Sequence, residues 1–151
     1  MKLAEALSIR KDLQKRIHQI GCSLADNVKV QEGEEPAENP SELMKELDGC
    51  LTELENLIWR INLTNVQTFN EAGKTLTQLM AEKDVLKMRI SALRDAYERA
   101  SSQNERYSRS EIKMLTTVDI KQLRKQIDDY SQQLRKIDME IQSLGFQTDL
   151  V

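Results

Sequence analysis

The sequence predicts an all-α protein, an antiparallel four-helix bundle with long coiled-coil-like helices. Three observations carry the prediction. Apolar residues recur at alternating spacings of three and four through most of the 151 residues. Charged residues make up 31% and aromatics only 4%, a balance suited to helices lying along narrow seams. Pro occurs twice and Gly five times, and most of these mark the ends of the periodic runs.

The last helix has the clearest pattern and is expected over 119–144. Ile120, Leu123, Ile127, Tyr130, Leu134, Ile137, Ile141 and Leu144 fill every seam position of more than three heptads. Asp119 can cap its start, with Gln122 three residues on, and Gly145 stands where a left-handed stop belongs. The first helix, expected over 2–26, carries Leu3, Ala6, Leu13, Ile17, Ile20 and Leu24. Arg10 interrupts its seam, and Gly21 lowers its helix propensity unless a close crossing requires it.

Loop 27–39 opens with the alternating Val28-Lys29-Val30 and continues acidic, through Glu32, Glu34, Glu35 and Glu38. Asn39-Pro40-Ser41-Glu42 is a helix start, with a capping side chain followed by Pro at the first helical position. The helix it opens, over 40–66, has a wide apolar face: Leu43, Met44, Leu47, Cys50, Leu51, Leu54, Leu57, Ile58 and Ile61. A second stripe of Trp59, Leu63 and Val66 lies nearly opposite. Loop 67–74 leads to a helix over 75–100 with a seam of Leu76, Leu79, Leu86, Ile90, Leu93 and Tyr97. This helix also has a second stripe, of Val85, Met88 and Ala92. Loop 101–118 ends in strand-like residues, which leaves room for a minor two-stranded element pairing Val28–Val30 with part of Ile112–Val118. The tail, 145–151, ends apolar and should dock. The domain expectation is a single helical domain over 1–151, with a pair of helical hairpins completed by a second subunit as the alternative.

Several runs are similar to a family of small bacterial helical proteins labelled septicolysin. They are Val30-Gln31-Glu32-Gly33-Glu34-Glu35-Pro36, Ile61-Asn62-Leu63-Thr64-Asn65, Lys74-Thr75-Leu76-Thr77, Arg106 through Lys113, and Thr117-Val118-Asp119. The resemblance spans nearly the whole chain, with Phe146 where the family more often has Trp. The label implies a cytolysin, but the resemblance brings no catalytic residues, substrate or cofactor. Neither an export signal nor an inserting amphipathic segment is present to support that role.

A net charge of −3, from 22 basic and 25 acidic residues, disfavours attraction of nucleic acid by bulk charge. No run reaches the roughly 18 apolar residues of a membrane span, so the expected location is the cytoplasm, with Cys22 and Cys50 as reduced thiols. Ala72-Gly73-Lys74-Thr75 resembles the end of a phosphate-binding loop, but its upstream Gly is replaced by Thr68 and no strand precedes it. His18 and Cys22 are four apart and could share a metal, yet a structural zinc needs four ligands and His18 is the one histidine in the chain. That scarcity also argues against His-dependent nucleophilic catalysis. No cofactor and no enzymatic activity are expected.

Two surfaces remain. Arg106, Tyr107, Arg109 and Lys113 form a basic loop able to contact an anion or a nucleic acid. Trp59, Leu63, Val66, Val85 and Met88 are apolar residues outside the seams, and a helix apolar on two sides must be covered on two sides. The function expected from the residues is a non-catalytic, homo-oligomeric helical interaction protein, with those five residues at the subunit contact.

Overall fold

Seam residues at three-four spacing need a second helix to cover them, and the chain supplies it twice. The computed structural model describes residues 1–102 and 113–151. It contains four helices: α1 (Leu3–Asn27), α2 (Pro40–Gln67), α3 (Leu76–Ser101) and α4 (Ile120–Gln147). The fold is all-α, with α1 packed on α2 and α3 packed on α4. By contact pattern the chain divides into two compact units. One comprises Met1–Leu76 with Gln142–Val151, and the other Thr77–Ile141.

In the first unit, Ala6, Leu13 and Ile20 of α1 are buried at every seventh position. Leu43, Cys50, Leu57 and Thr64 of α2 are buried at the same interval. This is the repeat of two helices facing each other along one stripe. The pair is antiparallel: Arg16 donates to Glu46 Oε1 from both Nε (2.9 Å) and Nη2 (2.6 Å), and Asn27 Oδ1 accepts from the Glu38 amide near the connection. Asn39 caps α2 by accepting from the Ser41 amide at 2.9 Å, followed by Pro40 at the first helical position. Both parts of that start signal were readable in the sequence.

The tail docks within this unit. Leu3 N donates to Thr148 O and Leu150 N donates to Met1 O, each at 2.9 Å, around a single antiparallel bridge of Lys2 with Asp149. Leu150 is buried. Thr64, only 1% exposed, is the buried polar residue of the seam. Its hydroxyl donates to Arg60 O (2.8 Å) and accepts from Val151 N (3.1 Å). Both hydrogen-bonding capacities of a side chain that would be costly to bury unpaired are thereby used.

In the second unit the α3 seam follows Leu79, Leu86, Ile90, Leu93 and Tyr97, of which Leu79 and Ile90 are fully buried. The α4 seam has Leu123 and Ile127 buried, with Tyr130, Leu134, Ile137 and Ile141 half-buried. Half-buried Lys83 occupies the seam position between Leu79 and Leu86 and pairs with Asp138. Arg89 lies 5.0 Å from the centroid of the Tyr130 ring. These pairings set α3 and α4 antiparallel. Asp119 Oδ1 accepts from the Gln122 amide at 3.1 Å, so the expected cap of α4 forms.

Two local expectations are corrected. Gly145 does not stop α4, which runs on to Gln147. Gly145 is buried, and a Cβ there would lie 3.9 Å from the Ala4 Cβ. The left-handed stop requires positive φ, and only Gly33 and Gly73 have it among the described residues. The expected two-stranded element is likewise absent from the described residues. Val28–Val30 and Lys113–Val118 carry no strand, and Ile112 lies outside the described residues. Here β-branched content met no partner to pair with. The isolated bridges form instead at Lys2–Asp149 and Phe69–Thr75.

Candidate functional site

Each seam uses one side of its helix, so the character of the other sides decides what the protein can bind. On α2 the buried row of Leu57, Ile61 and Thr64 leaves Trp59 65% exposed, with Val66 also exposed and Leu63 half-buried. The spacing of Trp59, Leu63 and Val66 places them together on the outer face. On α3, Val85 is exposed and Met88 is 71% exposed, beside exposed Ala92. The sequence-predicted contact residues are therefore on the surface, apart from the half-covered Leu63. Sequence reasoning missed Met44 and Leu51, which it placed in the apolar face of α2 and which are exposed. They lie seven apart just beside the seam row, and that offset was the available signal.

Arg106, Tyr107 and Arg109 of the basic loop lie outside the described residues. Lys113 is described as exposed and non-helical.

The remaining motifs resolve into local structure. In Ala72-Gly73-Lys74-Thr75, Gly73 takes a positive φ of 75° in a tight turn between the bridged Phe69 and Thr75. The Gly73 amide donates to Asn70 O and the Lys74 amide to Asn70 Oδ1. A phosphate-cradling loop needs those amides free. Cys22 Sγ and His18 Nε2 are 3.9 Å apart on the exposed side of α1, while Cys50 is buried in the seam. Among the described residues no group of three or more His, Cys, Asp or Glu side chains could hold a metal ion.

Among the described residues, open grooves lie within each unit. One, of about 600 Å³, runs beside α1 and α2 past Ile9, Asp48, Thr52, Glu53, Asn56 and Arg60. Arg60 Nε donates from there to the Val151 carbonyl oxygen at 2.6 Å. The other, of about 460 Å³, lies between α3 and α4. Neither is lined by His18, so neither offers a histidine base to a nucleophile. Ionisation is shifted at two exposed pairs. The hydrogen bond to Glu46 raises the Arg16 pKa. The hydrogen bond from Lys2 holds the Asp149 carboxyl below the usual aspartate range. Both are structural contacts. Among the described residues no helix is long and apolar enough to cross a membrane.

A solved structure of a functionally unknown conserved protein from Corynebacterium diphtheriae is similar to this chain. It matches at 40% identity and a TM-score of 0.93, over 100% of this chain and 99% of its own. No curated protein matches. The profile of a family described as a family of unknown function (DUF6847) matches residues 10–150. These findings correct the resemblance to septicolysin, a name that neither the family nor the solved relative carries. One of the runs that suggested it, Lys74-Thr75-Leu76-Thr77, closes the turn after α2 and opens α3. With 141 of its 151 residues inside the match, the chain belongs to the family of unknown function DUF6847.

Proposed function

We propose that the protein is a non-catalytic helical interaction protein that self-associates in the cytoplasm through the outer faces of α2 and α3. The observation that supports this reading most is Trp59, the one tryptophan of the chain, 65% exposed on a helix whose seam is already filled. Trp is prominent among residues that dominate association energy when a partner covers them. Leu63 and Val66 extend its surface on α2, while Val85 and Met88 supply the face on α3.

Sedimentation equilibrium of the wild-type chain and of Trp59→Ser and Leu63→Asp tests the proposal. An assembly larger than 17.4 kDa is expected for the wild type. Each substitution should lower its association constant at least tenfold while leaving the helical circular dichroism unchanged. Unchanged assembly in correctly folded variants would reject this surface as the contact.

A further inference from the structure

Beside its buried row, α2 carries a second stripe that α1 leaves half covered. Met44, Leu47, Leu51, Leu54 and Ile58 are spaced three, four, three and four, the repeat of a helix seam. Met44 is 49% and Leu51 45% exposed, while Leu47, Leu54 and Ile58 are half-buried. On the same side of α1 lie exposed Leu7 and half-buried Ile17 and Leu24. The Arg16–Glu46 pair marks the opposite side, so the α1–α2 hairpin has one polar and one apolar side. The edges of the apolar side carry opposite charge. Its α2 edge holds exposed Asp48 and Glu55, seven apart, and its α1 edge holds exposed Lys11 and Lys15. Half-buried Arg10 stands in the α1 stripe and adds to the positive side. Because Arg16 meets Glu46 across the antiparallel pair, Lys11 stands level with Leu51, between Asp48 and Glu55.

We propose that this side binds the same side of a second copy, closing two α1–α2 hairpins into a four-helix bundle. The contact is separate from the outer face of α2 that bears Trp59. Its charges are self-complementary in one arrangement. A twofold axis parallel to the helices lays α1 of one copy along α2 of its partner at the same height. Lys11 then faces the partner's Asp48 and Glu55, and the contact occurs twice. A twofold axis across the helices would instead set α1 on α1, with basic edge against basic edge, so electrostatics select the first register. The surface left over is large enough. The chain exposes 11948 Å², whereas a compact monomer of 17.4 kDa exposes about 7,900 Å² and two separate compact bodies sharing that mass about 9,500 Å². The difference exceeds the roughly 800 Å² that each partner contributes to a standard interface.

The test is sedimentation equilibrium of the full chain in the Trp59→Ser background, where the outer-face contact is already weakened. A reversible dimer of twice 17.4 kDa is expected to remain. Adding Leu51→Lys, at an exposed position, should lower its association constant at least about tenfold with helical circular dichroism unchanged. Met44→Gln repeats the measurement at the end of the stripe should Leu51→Lys lose helicity. Lys11→Glu and Glu55→Lys should each weaken the dimer severalfold, and the two together should restore it, since each lysine again meets a carboxylate. A Trp59→Ser protein that stays at 17.4 kDa at every concentration would overturn the proposal. So would a folded stripe variant that associates unchanged, or a combined charge reversal no stronger than its single members.

Discussion

Thr64 shows how one residue links a helix seam to the chain terminus. It occupies a position that the heptad would give to an apolar side chain, and it accepts from the Val151 amide. Thr64→Val keeps the shape and removes the hydroxyl, so the Val151 amide loses its partner. Urea denaturation should show a loss of about 1 kcal/mol, with increased hydrogen exchange at Val151. Gly21 is the opposite case. It lies inside α1, and a Cβ there meets nothing within 4 Å, so no close crossing requires it. Gly21→Ala should raise stability by about 1 kcal/mol in the same assay. The Asp149 carboxylate, held below its usual range by Lys2, favours the docked tail while ionised. Its contribution is present above the unfolded pKa and disappears as pH falls through the lower folded value, which puts the loss below about pH 4. Exchange protection at the Leu3 and Leu150 amides should follow that profile. In Asp149→Asn protection should be weaker at neutral pH, and the carboxylate-dependent drop should vanish.

At the scale of elements, the helices were legible because their determinants are local. Three-four spacing placed the seams, and Asn39-Pro40 and Asp119 placed two starts, each with its capping bond in the structure. What was not legible depended on distant parts of the chain. Gly145 resembles a stop until the proximity of Ala4 is known. Val28–Val30 has strand character, but strand formation needs a pairing partner that no sequence window displays. Met44 and Leu51 look like seam residues because a wide apolar face does not reveal how much of it a single facing helix can cover. Lys83 was missing from the predicted α3 seam because its partner, Asp138, is 55 residues away.

In the whole molecule, packed helix pairs leave their outer faces uncovered, and the proposed function belongs to those faces. Membership of the DUF6847 family and 40% identity with a solved structure extend this fold to relatives. The proposed self-association is assigned to the outer faces of α2 and α3. The most direct test of the central claim is the sedimentation-equilibrium mass of the wild-type protein beside Trp59→Ser. A wild-type assembly that dissociates toward the 17.4 kDa chain in the variant, with helicity preserved, is the predicted result. A wild-type protein that remains at 17.4 kDa across the concentration range, or a variant that assembles equally well, would contradict it.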